Sequence, residues 1–232
     1  MDFFPQNNVK IDIIAHVRSD FPSKFAVPRQ SGMHDLSSYI VFEPQFRREG
    51  ALKGLEEFSH LWVLWLFSEE WGKPWSPTVR PPKLGGNVRK GVFASRSPFR
   101  PNPIGLSAVG IQRVFRGPDG PVIEIKGADI KDGTPVIDIK PYVPYSDCLP
   151  GAKDGFSCSE RESLNVVIDD TLLQSVPEKK RGGFLQILAL DPRPAYQHDP
   201  ARVYKFEFAG LSVSFRADDK TLTVLSIESS DK

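Results

Sequence analysis

The residues best suited to chemistry in this 232-residue chain fall in four short segments that combine conformationally restricted residues with polar or charged side chains. The first, Lys24 to Gln30, reads Lys-Phe-Ala-Val-Pro-Arg-Gln, and its proline fixes the backbone that presents Arg29 and Gln30. The second, Val79 to Asn87, is stiffened by Pro81 and Pro82 and loosened by Gly85 and Gly86, where a backbone can approach a ligand closely. It runs into the third, Gly91 to Ser107, Gly-Val-Phe-Ala-Ser-Arg-Ser-Pro-Phe-Arg-Pro-Asn-Pro-Ile-Gly-Leu-Ser. So many prolines beside Arg96, Arg100 and Asn102 serve generic folding poorly. The fourth, Ala128 to Asp147, carries Asp129, the turn Asp132-Gly133-Thr134-Pro135, Asp138, Lys140, Tyr142 and Asp147. Guanidinium groups on stiff loops suit recognition of carboxylate or phosphate, and carboxylates suit uptake of a proton or an ammonium. Alone, the first segment reads equally well as a surface loop, and the fourth as an Asp-Gly turn between strands.

The charge distribution points the same way. Formal net charge is +1, so the whole molecule is no electrostatic sponge for nucleic acid. Yet the stretch from Trp71 to Pro118 contains no Asp or Glu, where an even spread would place about 6. It holds Lys73, Arg80, Lys83, Arg89, Lys90, Arg96, Arg100, Arg113 and Arg116. A locally positive face of this kind suits phosphates, which supply most sequence-independent affinity for nucleic acids.

Composition removes other classes. Hydrophobic residues at 40% and charged residues at 25% describe an ordinary globular chain, long enough to bury a sizeable core. Met1 to Lys10 lacks the pattern of a secretory signal, and the apolar run Leu61 to Phe67 is too short to cross a bilayer, so a cytoplasmic protein without a membrane span is expected. Cys148 and Cys158 are too few for a disulfide framework or a zinc site and read as incidental. His16, His34, His60 and His198 have no ligating spacing, so no metal is expected.

The elements that must position these segments read as short strands: Val9 to Val17, Tyr39 to Phe42, Leu61 to Phe67, Gly91 to Ala94, Leu106 to Phe115, Val122 to Ile125 and Val136 to Ile139. Turn clusters at Gly85 and Gly86, Pro118 to Gly120 and Asp132 to Pro135 separate them. Dense punctuation of strands predicts a mainly β barrel. Only Ala51 to Phe58 hints at a turn or two of helix, and no glycine fingerprint of a doubly wound sheet is present. The polar run Pro150 to Ser159 reads as a linker, dividing the chain into a barrel domain at 1–149, a linker at 150–159 and a small α+β domain at 160–232. In the latter, a strand at Val166 to Ile168 precedes a helix capped by Asp169 or Asp170 and ending before Pro177. A second helix over Glu178 to Leu190 is weakened by Gly182 and Gly183. Strands near Val203 to Phe208, Leu211 to Phe215 and Leu222 to Ile227 complete it.

In order and nearly word for word, the four segments resemble the signature stretches of the TrmO (TsaA-like) tRNA methyltransferases. So do Gly54-Leu55-Glu56-Glu57-Phe58-Ser59-His60-Leu61-Trp62 and Asp191-Pro192-Arg193-Pro194-Ala195-Tyr196, so the likeness covers most of the chain. It implies a β-barrel methyltransferase, dimeric, with S-adenosylmethionine bound near the subunit interface. The implied reaction is methylation of N6 of N6-threonylcarbamoyladenosine at position 37, beside the anticodon of threonine tRNA. Family cofactor contacts map onto Pro28, Arg29, Gln30, Arg96, Leu106, Asp132, Gly133, Thr134 and Pro135. Ser68 and Glu69 occupy a further contact position, where many relatives carry a His-Gln pair.

Chemistry then suggests individual roles. Arg96 or Arg29 would hold the cofactor carboxylate, Asp132 its ammonium or ribose hydroxyls, and Leu106 its adenine. Asp138 or Tyr142 would take the proton from the acceptor nitrogen. Arg89, Lys90, Arg100 and Lys140 are the candidate RNA contacts, with Arg100 or Lys140 on the threonylcarbamoyl carboxylate and Phe99 or Tyr142 stacking on a base. His60 reads as a packed or capping residue. Lys179, Lys180 and Arg181 with the Asp191 to Tyr196 segment would hold tRNA or finish a neighbouring subunit's site, and the basic triplet reads equally well as a solvated helix face. Two other readings of the same residues are a non-enzymatic RNA-binding barrel and a methyl donor site serving another acceptor.

Overall fold

The structure, a computed structural model, describes residues 10–81, 84–157, 163–193, 197 and 199–230. Lys83, Cys158, His198 and the Pro194 to Tyr196 part of the last motif lie outside the described residues. Six strands close into a barrel: β1 (Ala15–Arg18), β2 (Ser37–Phe42), β3 (His60–Leu66), β6 (Ile104–Gly117), β7 (Gly120–Lys126) and β8 (Pro135–Pro141). Their order around it is β1-β2-β7-β6-β3-β8, and all their pairings are antiparallel.

Alternation in sequence becomes alternation in space. Ile40 and Phe42, Leu61 and Val63, Ile123 and Ile125 turn inward and are buried, together with Ala15, Val17, Val109 and Val136. Closure is brief: β8 meets β1 only through Ala15 opposite Val136 and His16 opposite Pro135. A register shift in β3 between Leu64 and Trp65 re-aims Trp65 at the end of the strand.

Between β3 and β6 runs a long excursion held by a two-residue ladder of β4 (Thr78–Val79) and β5 (Lys90–Gly91). The expected strand over Gly91 to Ala94 is absent; Val92–Ala94 instead forms a 3-10 turn. Here only Val92 is buried, so the run has no second apolar neighbour on its inner face to hold it extended. Likewise the first strand begins only at Ala15, and the helical hint near Ala51 resolves into 3-10 turns at Glu49–Leu52 and Leu55–Glu57.

After α1 (Pro144–Asp147), a second sheet forms with order β10-β11-β12-β9, from β9 (Asn165–Val167), β10 (Tyr204–Phe208), β11 (Leu211–Ala217) and β12 (Thr221–Ser229). Helix α2 (Asp170–Gln174) is capped by Asp169, whose carboxylate accepts from the Thr171 amide at 2.8 Å. Helix α3 (Glu178–Ala189) buries Phe184, Ile187 and Leu188 against Phe206, Phe208, Val213 and Phe215 of the sheet.

Gly183 looks like a flaw in α3 from sequence and proves to be a packing requirement. A Cβ there would stand 2.5 Å from Leu36 Cγ, a residue that enters this second core from the first half of the chain. Phe21 and Ala26 enter it too. The segment between β1 and β2 is therefore wedged between barrel and C-terminal sheet.

Candidate active site

A cavity of about 560 Å³ opens where β3 ends and β6 begins. Its apolar wall comes from Trp65, Leu66, Phe67, Ile104, Leu106 and Pro28, and its polar groups from Arg29, Arg96, Arg100, Asp129, Glu69 and Thr134. A mostly apolar pocket with a few convergent charges, of this size, suits a small organic ligand.

The wall depends on a glycine. Trp65 lies opposite Gly105 in the β3–β6 ladder, and a Cβ on Gly105 would stand 2.2 Å from the indole, so the ring lies flat over a residue without a side chain. From there the Trp65 indole N–H donates to Ser107 Oγ at 3.0 Å, and the Ser107 hydroxyl donates to Asp129 Oδ1 at 2.5 Å. Burial pushes the Asp129 carboxyl above the usual carboxylate range, against the pull of the Ser107 hydrogen bond, its own amide and the Arg96 charge. Asp129 is thus a carboxylate in the cavity wall with a raised proton affinity.

The loop carrying Pro28, Arg29 and Gln30 is held from both sides. Gln30 Oε1 accepts from Arg96 Nη1 at 2.7 Å, joining the first and third sequence segments. Arg29 Nη2 donates to the Arg193 carbonyl at 3.1 Å. Arg193 itself is buried, bonded to the Asp191 carboxylate and to the Ala217 and Asp218 carbonyls. Ala26, just before the loop, adopts φ +67 in the left-handed region, strain held by its burial in the second core. On the other flank, His34 Nε2 donates to the Ala128 carbonyl at 3.0 Å while its Nδ1 accepts from the Leu36 amide, fixing the residue next to Asp129. Desolvation lowers the pKa of His34, so it acts as a neutral strut.

The cavity mouth carries an ion cluster. Glu69 is bonded to Lys131 at 2.5 Å and to Lys24 at 3.0 Å, and those two hydrogen bonds hold its carboxyl down to about 2. Glu70 shares Lys24 and adds Lys73. Ser68 lines the same edge.

Eight of the expected cofactor residues therefore converge: Pro28, Arg29, Gln30, Ser68, Glu69, Arg96, Leu106 and Thr134. Asp132, Gly133 and Pro135 do not line the cavity. Asp132 Oδ1 accepts from the Ser19 amide, and Gly133, at φ +74, gives its N–H to Val17, so these residues shape the turn that delivers buried Thr134. The expected proton acceptors also stand elsewhere. Asp138 faces Leu64 across the ladder and pairs with Lys140 at 2.8 Å, while Tyr142 packs against His60 and Trp62 at the far end of β3.

Of the expected RNA contacts, Arg100 lines the cavity, and its Nη1 donates to the Ser95 carbonyl at 3.3 Å. Arg89 lines a neighbouring groove, whereas Lys90 belongs to β5 and Lys140 lies with Asp138. Two cations of the acid-free stretch are engaged on the long β6–β7 hairpin: Arg113 with Glu124 and Arg116 with Glu49. Among the described residues no cluster of His, Cys, Asp and Glu is arranged to hold a metal ion, and no helix is long and apolar enough to cross a membrane.

From sequence, Ser107 and Asp129 lie in the third and fourth segments without an assigned role, and Trp65 lies only in an expected strand. One signal was available: Ser107 is a polar residue in the inward row Gly105, Ser107, Val109, and a buried hydroxyl needs a partner.

Comparison with known proteins now adds to this geometry. The family model for the tRNA-methyltransferase O N-terminal domain matches residues 16–148, and that for the TrmO C-terminal domain matches residues 162–230. The chain belongs to the TrmO family. It is 37% identical to the tRNA (adenine(37)-N6)-methyltransferase of Escherichia coli, over 96% of this chain and 99% of that protein. It is 38% identical to a Pseudomonas aeruginosa protein named as a putative S-adenosylmethionine-dependent methyltransferase, covering 86% of this chain and 89% of the relative. Among solved structures, TrmO from P. aeruginosa superposes with a TM-score of 0.78 at 31% identity, covering 97% of this chain and 99% of that one. The family's two domain models fall on the barrel and on the second sheet with its helices, and the cavity is built by the first together with the Arg193 anchor from the second.

Proposed function

We propose that this protein is an S-adenosylmethionine-dependent tRNA (adenine(37)-N6)-methyltransferase acting on N6-threonylcarbamoyladenosine of threonine tRNA, working in the cytoplasm as a homodimer. The observation that carries the reading is the convergence of three distant segments on one cavity with apolar walls, three guanidinium groups and a half-buried carboxylate. That donor set fits a ligand with an adenine, a carboxylate and a cationic centre. Family membership and the names of its relatives supply the reaction class and the tRNA position. The modified base and the tRNA identity rest on the resemblance.

Bound there, S-adenosylmethionine supplies an electrophilic methyl group. Arg96, fixed by Gln30, and Arg29, fixed by the Arg193 carbonyl, hold a carboxylate. Leu106 and the Trp65 indole exclude water from an apolar face. The N6 nitrogen of the acceptor shares its lone pair with the purine and the carbamoyl group, so orientation supplies much of the rate. Asp129, the raised-pKa carboxylate in the wall, takes the proton that N6 sheds as it is alkylated, replacing Asp138 and Tyr142 in that role. Arg100, in the same cavity, recognises the threonylcarbamoyl carboxylate. Leu106 is half exposed and stands on the outer face beside Leu64, which supports a partner subunit closing that side.

Calorimetric titration with S-adenosylmethionine, with ATP as control, tests the cofactor; methyl transfer to threonylcarbamoylated against unmodified tRNA tests the acceptor. Saturable binding of the first ligand only, and transfer only to the modified tRNA, are expected. A folded protein that binds no methyl donor, with or without tRNA, would be a non-enzymatic RNA-binding barrel. Transfer to a different acceptor would keep the cofactor and remove the substrate.

A further inference from the structure

A second groove leads away from the cavity and shares Arg29, Gln30, Ser95, Arg96 and Pro98 with it. Among the described residues, Arg80, Arg89 and Lys153 line it against one acid, Asp154. Phe93, 73% exposed, and Phe99, 51% exposed, project from its wall. Trp75, 49% exposed, stacks on Phe93 with ring centroids 6.4 Å apart and planes 26° from parallel. Three large exposed aromatics in one loop bury little apolar area for folding.

The loop that bears them is tied down. The Ser76 amide donates to the Phe99 carbonyl at 3.1 Å, the Val92 amide to the Pro77 carbonyl at 3.0 Å, and the Ser76 hydroxyl to the Thr78 carbonyl at 2.7 Å. The rings are therefore presented in advance of any ligand. Flat exposed rings beside guanidinium and ammonium groups match the chemistry of unpaired nucleotides, whose bases stack and whose phosphates need cations.

We infer that the Trp75–Phe93 stack and Phe99 form a platform for the unpaired nucleotides flanking the target base in a single-stranded RNA loop, with Arg80, Arg89 and Lys153 on their phosphates. The inference rests on the proposed RNA acceptor and adds where the rest of the loop lies. The groove runs into the cavity at Arg96, so a strand held on the platform delivers one extruded base to Asp129 and Arg100. Neither Trp75 nor Phe93 lines the cofactor cavity.

The test uses fluorescence anisotropy of the full-length protein with a labelled RNA hairpin carrying an anticodon-type loop, and with a fully paired RNA of equal length. Trp75→Ala with Phe93→Ala should weaken hairpin binding on the order of tenfold or more, while paired RNA binds as before. Trp75→Phe should restore most of the loss, and the heat of S-adenosylmethionine binding should not change. Unchanged hairpin affinity overturns the platform, as does equal loss for hairpin and duplex. Loss of self-association in sedimentation with RNA affinity intact would assign the rings to a second copy of the chain and overturn it as well. Failure of wild-type protein to bind methyl donor while the aromatic variants still lose hairpin affinity would remove the enzymatic reading and leave the platform standing.

Discussion

Two aspartates, each linked to an indole of β3, stand at opposite ends of that strand and have been given opposite properties. At the cavity end Trp65 reaches Asp129 through the Ser107 hydroxyl, and burial raises the carboxyl's proton affinity. At the other end Asp147 accepts directly from the Val143 amide at 2.8 Å and the Trp62 indole at 2.9 Å, and these hydrogen bonds lower its pKa. Identical side chains on one strand's flanks become a candidate base and a turn fastener. Solvent exclusion makes the difference, since Asp147 accepts from two part-buried donors near the surface, whereas Asp129, among the described residues, has only Ser107 as a side-chain donor inside a wall.

The comparison breaks most visibly in turnover. Asp129→Asn should lower the single-turnover methylation rate on the order of a hundredfold with the fold retained, whereas Asp147→Asn should leave that rate within about twofold. Equal losses in the two variants would show that neither carboxylate is special. Next in size is Gly105→Ala, which forces the Trp65 indole off its seat. It should destabilise the protein by about 1–3 kcal/mol in chemical denaturation and abolish calorimetric binding of S-adenosylmethionine. Unaltered ligand binding would mean that the indole does not form the pocket wall.

The smallest effect is a displacement in pH. A base must be ionised to act, so the rate should rise with pH through the Asp129 ionisation, along a limb lying above the usual carboxylate range of about 4. Ser107→Ala removes a hydrogen bond that favours the charged form and should move the limb further up, and Asp129→Asn should flatten it. Stability carries the reverse sign for Asp147. Its folded-state pKa is depressed, so its contribution is present above the unfolded value and lost as pH falls through the folded one. An acid limb that ignores Ser107 would place the titrating group elsewhere.

Much of this was legible in the sequence, and the failures share a cause. Period-two alternation located six barrel strands because inward residues such as Ile40, Val63 and Ile123 are fully buried in a closed sheet. The pair Asp169 and Asp170 announced the helix, which Asp169 caps, because a cap is a local interaction. Gly91 to Ala94 misled because apolar composition was present without a surface to pack on, and Gly183 was misjudged because its reason, Leu36, lies far away in sequence. In the site, the stiff loops at Pro28 and Arg96 stood out by residue type, but their joint role came only from the resemblance. The Trp65–Ser107–Asp129 relay could not be read there, since it exists only after β3, β6 and the turn before β8 have been brought together.

The wedge formed by Phe21, Ala26 and Leu36 makes the second domain a thermodynamic partner of the first. The loop from Pro28 to Gln30 is bracketed by residues in that core and pinned by Arg193, so a ligand that orders it also stabilises the distant sheet. Reciprocity then requires that a change in the C-terminal core which alters the order of that loop alters affinity at the cavity by the same factor.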